Sequence, residues 1–286
     1  MRAAVIGSTG QLGQDLMRVL GEDAVGLTHQ DLDVTDGVGV ASAMHSLKPD
    51  WVINTAAYHR VDDCEVNPSL SFAANALGAL NVARAASDVG AGVVFFSTDY
   101  AFGGGERDRN QPYEEGDTPA PLNVYGVSKA AGEQLVAQAN ARHIVVRSAG
   151  LYGTSTSRKG WTFPELMLEK ARTEGRVRVV TDQVLSPTYT ADLARKTKEL
   201  IERDATGLFH LANAGECSWF EFAKGVFELA GVEVEMEPIE TGETGRRARR
   251  PSYSALATVR LGDGGPAPLR PWREALGDYL EAKGLR

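Results

Sequence analysis

Apolar residues along this chain gather into short runs, and each run is followed by a longer segment with apolar positions spaced three or four apart. Residues 2–6 form the first run, which ends in a glycine-rich turn and reads as a buried strand. Over 11–20, Leu12, Leu16, Val19 and Leu20 fall on one face, the stripe of an amphipathic helix. Further strands are predicted at 24–27, 51–54, 92–97 and 143–147, with helices at 38–47, 69–89 and 125–141. Strands that are apolar throughout, alternating with helices, predict an α/β fold with a Rossmann-type doubly wound parallel sheet.

After Arg147 the rhythm loosens into short elements rich in glycine and proline. Helices are predicted at 163–173, 192–203 and 218–231, and a strand at 177–180 is expected to return to the sheet. This divides the chain into a dinucleotide-binding Rossmann domain, 1–150 with the strand and helix of 177–203, and a smaller α/β substrate-binding lobe within 151–286. Residues 262–268 read as a connector.

At 286 residues, 43% hydrophobic and 24% charged, the composition is that of an ordinary globular protein. A net charge of −8 leaves no basic excess to displace counterions from phosphates, so no nucleic-acid partner is expected. No apolar run approaches membrane-spanning length, and Met1-Arg2 leads straight into a strand without room for a signal peptide. Two cysteines, Cys64 and Cys217, and five scattered histidines show no metal-ligand spacing; no metal is expected, and a reduced cytoplasm suits the chain.

The candidate chemistry starts at Gly7-Ser8-Thr9-Gly10-Gln11-Leu12-Gly13, between the first strand and the first helix. Gly7 suits the tight turn, Gly10 lets the backbone approach a pyrophosphate, and Gly13 allows close helix–strand packing. A glycine triplet alone is weak evidence, but this strand–turn–helix context makes it a dinucleotide signature. The end of the second strand offers Thr28-His29, with no acid for an adenosine ribose and no arginine for a 2′-phosphate unless Arg2 or Arg18 reaches. Asp31-Leu32-Asp33 follows, and Asp33 suits the adenine amino group better than the ribose; NADP and NAD both stay open.

Tyr125 and Lys129 lie four apart at the start of a helix and share a face. A free tyrosine titrates near about 10; a neighbouring ammonium and a cationic nicotinamide would favour the phenolate and bring it into working range. Such a tyrosine protonates the alkoxide formed when hydride reaches a ketone, while Lys129 holds the nicotinamide ribose. Ser97-Thr98-Asp99 ends the fourth strand, where a hydroxyl can polarise the substrate carbonyl. A Tyr-x-x-x-Lys pair alone is usually plain helix surface; the glycine turn upstream changes its weight.

Taken together, these residues resemble the extended short-chain dehydrogenase/reductase superfamily, and within it the dTDP-4-dehydrorhamnose reductase family. The resemblance spans nearly the whole chain, including Asp31-Leu32-Asp33-Val34-Thr35-Asp36, Asn54-Thr55-Ala56-Ala57-Tyr58, Val61-Asp62-Asp63-Cys64-Glu65 and Ser97-Thr98-Asp99-Tyr100-Ala101-Phe102. It continues through Pro121-Leu122-Asn123-Val124-Tyr125-Gly126, Asp182-Gln183, Pro187-Thr188 and Arg250-Pro251-Ser252-Tyr253-Ser254-Ala255-Leu256. It implies Thr98, Tyr125 and Lys129 as the catalytic triad and Asp99 near the sugar. Gly7, Thr9, Gly10, Gln11, Leu12, Gly13, Asp31, Leu32 and Asp33 would hold the cofactor, and Ala56, Ala57 and Tyr58 would line it after the fourth strand. Arg250 would meet the diphosphate of a nucleotide-sugar substrate, which a guanidinium fork suits; Arg246, Arg247 and Arg249 read as a solvated charge run.

The reaction so implied is NAD(P)H-dependent reduction of a 4-keto nucleotide deoxysugar, foremost dTDP-4-dehydro-L-rhamnose, with a homodimer left open. Asp99-Tyr100 stands where dehydratases of the superfamily place Asp-Glu, which argues against elimination. Two departures stand out: Gly150 occupies a position usually held by a sugar-contacting tryptophan, and Thr162 one usually held by asparagine. Both predict an enlarged or altered sugar pocket. The alternatives are a non-catalytic NADP-binding regulatory subunit, resembling that of methionine adenosyltransferase, which also lacks that tryptophan, or a reductase or epimerase of another nucleotide sugar.

Overall fold

The computed structural model describes residues 1–105, 110–155, 160–262 and 265–286; the connector reading of 262–268 falls partly on 263 and 264, outside the described residues. The strands in chain order are β1 (Ala3–Ile6), β2 (Ala24–Leu27), β3 (Trp51–Asn54), β4 (Gly92–Phe96), β5 (His143–Arg147), β6 (Leu151–Tyr152), β7 (Arg176–Val180), β8 (Val184–Leu185), β9 (Thr188–Tyr189), β10 (Gly207–His210), β11 (Cys217–Ser218) and β12 (Glu235–Ile239). The α-helices are α1 (Gln11–Leu20), α2 (Gly37–Leu47), α3 (Val61–Val66), α4 (Pro68–Phe72), α5 (Gly78–Asp88), α6 (Val124–Ala139), α7 (Phe163–Glu174), α8 (Thr190–Glu202), α9 (Trp219–Ala230) and α10 (Trp272–Ala282).

Six parallel strands form the main sheet in the order β10-β5-β4-β3-β1-β2. Alternate residues of each strand feed opposite faces, as strand geometry requires. Ala3, Val5, Ile53, Val94 and Val146 pack against Leu12 and Leu16 of α1 and Leu193 of α8. Ala4, Ile6, Val52, Val93 and Phe95 pack against α2, α5 and α6 through Met44, Val82 and Val136. The sheet is therefore doubly wound. Its order reverses beside β1, and the crevice at the carboxyl ends of β1 and β3 is the place where such sheets bind ligands.

Three expectations change. Residues 177–180 lie in β7, which pairs with β12 outside the main sheet, and β10 supplies the sixth strand. The reason is polarity: Arg176 and Arg178 are exposed, and Arg178 pairs with Glu237 and Glu243, whereas a strand covered on both faces must be apolar on both. Ala56, Ala57 and Tyr58 follow the third strand rather than the fourth. No strand forms between β2 and β3, because the Asp31 and Asp33 carboxylates accept the Thr28 and Thr35 amides and turn the chain. Finally, the single helix expected over 69–89 is α4 and α5 joined by a π-helical segment, Ala73–Leu77.

The smaller lobe gathers α7, α9, α10 and β7 around Leu168, Val179, Phe222, Leu276 and Tyr279. Thr162 belongs here. It caps α7 in a reciprocal capping box with Glu165, and its hydroxyl lies 2.7 Å from the Tyr279 hydroxyl. Among the described residues no helix is long and apolar enough to cross a membrane.

One buried ion pair locks α6 onto the sheet. Arg147 at the end of β5 donates Nε and Nη2 to the two Glu133 oxygens at 2.9 and 2.6 Å, with both side chains under 5% exposed. Glu133→Ala strands a buried guanidinium and is expected to cost about 3–5 kcal/mol, measured by denaturant unfolding.

Candidate active site

The phosphate-loop geometry follows from its glycines. Gly7 has φ +80°, and a Cβ on Gly13 would stand 2.2 Å from the Gly7 carbonyl oxygen, so neither position tolerates a side chain. The Gly7 and Ser8 amides are tied to the Leu27 carbonyl of β2, and the Thr55 hydroxyl donates to the Ile6 carbonyl, fixing the loop from both sides. Helix α1 begins at Gly10 with no side-chain cap. Its first amides are thus available to an anion, reinforced by the helix dipole. Leu12 and Leu32 have buried side chains, so only their main chains can face a cofactor.

Thr9 contributes its carbonyl to Gln14, and Gln11 reaches the Gly153 carbonyl at 3.4 Å across the two lobes. Asp31 and Asp33 are exposed, held below the usual carboxylate range by hydrogen bonds from Thr28 and Thr35 respectively. Arg2 lies at the amino end of β1, away from the crevice, and Arg18 is paired with Asp15. Neither stands at the cofactor mouth.

A clamp that the sequence did not reveal holds the segment after β3. Asn75, in the π-helical turn and fully buried, accepts the Tyr58 amide at 2.8 Å and donates to the Tyr58 carbonyl at 3.1 Å. It also donates to Ser128 of α6 at 3.0 Å, so the Ala56-Ala57-Tyr58 segment and the Tyr125–Lys129 helix are registered against one amide. A π-turn inside a helix often marks a functional position, but the sequence reads as unbroken helix.

Helix α6 starts at a defined point. Asn123 accepts the Gly126 amide, Glu65 accepts the Val124 amide, and a Cβ on Gly126 would stand 2.2 Å from the Tyr100 carbonyl oxygen. That close approach brings Tyr125 to the end of β4. There Thr98 donates to Asp99 at 3.0 Å and Ser254 donates to the other Asp99 oxygen at 2.6 Å, while Ser97 turns inward to Glu133. Thr98, Asp99, Tyr125, Gly150, Leu185, Trp219 and Ser254 line a common cleft of about 170 Å³.

Burial dominates the electrostatics of this cleft. It lifts the Asp99 carboxyl to about 6, against the pull of the Ser254 and Thr98 hydrogen bonds. Burial and then the Asp99 charge push the Tyr125 phenol well above its usual value, with the Thr98 hydroxyl opposing. In this cleft Tyr125 is accordingly held as the phenol. Lys129 is buried with its ammonium 4.0 Å above the Phe95 ring; desolvation lowers it to about 7 while Glu133, one turn on, pulls it up.

Arg250 is engaged in an ion pair. Its guanidinium is 6% exposed and donates to Asp62 at 2.9 Å and to the Ala248 carbonyl, latching the C-terminal segment to α3. Arg246, Arg247 and Arg249 are exposed beside it. Thr162 does not line the cleft. Gly150 does, with φ +53° and Leu185 Cδ1 only 2.6 Å from where a Cβ would be.

Comparison with known proteins gives the same answer as the geometry. Residues 1–284 match the family model described as RmlD substrate binding domain. A dTDP-4-dehydrorhamnose reductase of Mycobacterium tuberculosis is 40% identical over 98% of this chain and 93% of its own length. The chain belongs to the dTDP-4-dehydrorhamnose reductase family and is an oxidoreductase. The spore coat polysaccharide biosynthesis protein SpsK of Bacillus subtilis is 37% identical over 99% of this chain and 98% of its own. The crystal structure of a Bacillus anthracis dTDP-4-dehydrorhamnose reductase in complex with NADP superposes with a TM-score of 0.92, at 38% identity over 98% of this chain and 99% of that one.

The raised Asp99 pKa has a consequence for stability. The native carboxyl titrates near 6 and the unfolded one near about 4, so ionisation penalises the fold: stability is highest below the unfolded value and falls as pH rises through about 6. Asp99→Asn should therefore stabilise the protein at pH 8 by on the order of 2–3 kcal/mol relative to its effect at pH 4. Urea midpoints at the two pH values test this; a pH-independent difference contradicts it.

Proposed function

We propose that this oxidoreductase reduces the 4-keto group of a dTDP-linked 6-deoxyhexose with NADPH, dTDP-4-dehydro-L-rhamnose being the leading substrate. The observation that carries the reading is the meeting of Thr98, Asp99 and Tyr125 in one cleft, with Lys129 beneath and the uncapped start of α1 at the neighbouring crevice. The Bacillus anthracis relative, crystallised with NADP, supports the choice of cofactor. The two cysteines are buried and unbridged, which suits work in a reduced cytosol.

The α1 amides and the Gly10 backbone receive the pyrophosphate, and the Ala56-Ala57-Tyr58 segment lines the crevice beside it. When bound in this crevice, NADPH would supply a hydride to the sugar carbonyl and would carry a positive charge afterwards. Thr98 donates a hydrogen bond to the carbonyl oxygen and stabilises the charge that develops there. Tyr125, held protonated by burial, passes its proton to the nascent alkoxide. The Lys129 ammonium, four residues on along the same helix, would help to stabilise the resulting phenolate, as would an oxidised nicotinamide. Lys129 also anchors the ribose. Arg250 reaches the diphosphate by exchanging its Asp62 partner, or stays as a latch while the exposed arginines beside it provide the charge.

Following NADPH absorbance with a panel of dTDP-linked 4-keto sugars tests the function. Binding of NADPH without turnover of any sugar would sink the reading and leave a cofactor-binding regulatory subunit. Within a working enzyme, Tyr125→Phe should lower kcat by ~10²–10⁴-fold with NADPH affinity unchanged. A wild-type rate in that variant would remove Tyr125 from the chemistry.

A further inference from the structure

The geometry points to Trp219 as the aromatic wall of the sugar subsite and the residue that sets which sugar the cleft accepts. The inference rests on the proposed nucleotide-sugar chemistry.

Gly150 sits in the cleft lining with φ +53°, a backbone state that side-chain-bearing residues rarely adopt. The place its side chain would take is already occupied. A Cβ there would stand 2.6 Å from Leu185 Cδ1, 3.3 Å from Pro187 Cα and 3.6 Å from the outer edge of the Trp219 ring. Leu185 takes up the space that a side chain at 150 would need, and the indole edge lies at van der Waals distance beside it.

Trp219 is the first residue of α9. The Ser218–Glu221 capping box fixes the start of that helix, and the Gln183 carbonyl accepts the Trp219 amide at 3.3 Å. Its ring is tilted against Phe163 at 4.5 Å between centroids and touches Phe222 at 6.1 Å. It packs against both the core of the smaller lobe and the cluster formed by Ala149, Leu185 and Leu256. The ring is thus rigidly held and half-buried, and its free edge lines the same cleft as Thr98, Asp99 and Tyr125.

A deoxyhexose has hydroxyl groups on its rim and C–H groups on its faces, and a 6-deoxy sugar adds a methyl. The cleft matches that division. Thr98 and Asp99 after β4, Tyr125 of α6, and Gln183 and Ser254 supply polar groups, and a flat apolar surface comes from the indole beside Leu185. Rigid aromatic surfaces with few convergent polar groups are how small-molecule sites fix orientation. Because Trp219 belongs to α9, sugar recognition is assigned to the smaller lobe while hydride and proton transfer stay with the sheet.

The test uses Trp219→Phe and Trp219→Ala in the full chain. Trp219→Ala should raise KM for dTDP-4-dehydrorhamnose by about 10-fold or more, with KM for NADPH unchanged. It should also narrow the preference for that sugar over a dTDP-4-ketopentose lacking the methyl. Trp219→Phe, which retains the stack on Phe163, should recover part of the loss. A second readout does not need turnover: dTDP-L-rhamnose, but not dTDP, should quench indole fluorescence in the wild type, and the quench should vanish in Trp219→Phe. Unchanged KM in Trp219→Ala, or a persisting quench in Trp219→Phe, overturns the assignment while leaving the reductase function intact. A quench without turnover of any sugar refutes the function and keeps the wall; neither quench nor turnover in the wild type refutes both.

Discussion

The Glu133–Arg147 pair is the interaction on which the site depends. It joins the middle of α6 to the carboxyl end of β5 inside the protein, where two charges are tolerable only if each satisfies the other. The surrounding contacts complete that balance. Ser97 donates to Glu133 from the end of β4, the Arg147 guanidinium lies over the Phe102 ring, and its Nη1 is 3.4 Å from His210 Nε2. His210 places Nδ1 against the Tyr113 and Ala257 carbonyls, so Nδ1 carries the proton and Nε2 is left to accept from Arg147. Burial and the Arg147 charge both act to keep that ring neutral. One network thereby sets the position of α6 against β4, β5 and β10, and with it the placement of Tyr125 and Lys129.

The cofactor crevice is built by a different means, from backbone rather than charge. Gly7 and Gly13 let the loop pass close to α1, and the uncapped helix start exposes amides where the sheet order reverses. Asn75 links this crevice to the cleft, since it holds the Tyr58 backbone with one side of its amide and meets Ser128 of α6 with the other. The two halves of the site are thus coupled through a single buried side chain.

Inside the cleft, desolvation outweighs individual hydrogen bonds. Two hydroxyl donors do not offset the burial of Asp99, and Thr98 does not offset that of Tyr125. Tyr125 is thereby held as the phenol, while burial brings Asp99 and Lys129 towards neutrality from opposite sides. The smaller lobe closes the other side with apolar surface from Leu185 and Trp219.

Five of the six main-sheet strands, the phosphate turn and the Tyr125–Lys129 face were legible in the sequence because they obey local rules: period, glycine placement and spacing along one helix. Glu133 also had a signal, four residues beyond Lys129, but its partner Arg147 reads only as the end of an apolar strand. Residues 177–180 looked like a sheet strand because three valines outweighed their arginine neighbours, and only pairing with β12 gave those arginines solvent and acidic partners. Thr162 and Gly150 looked like altered pocket positions. Thr162 is a helix cap, and the space at Gly150 is taken by Leu185, with Trp219 in contact beside it. The sequence by itself determined five strands of the main sheet, the glycine turn after β1 and the shared helix face of Tyr125 and Lys129, since each is written in neighbouring residues. Tertiary structure alone decided the burial that raises the Tyr125 phenol, the Asp62 partner of Arg250 and the packing of Trp219 beside Gly150, because burial and long-range packing have no local signature.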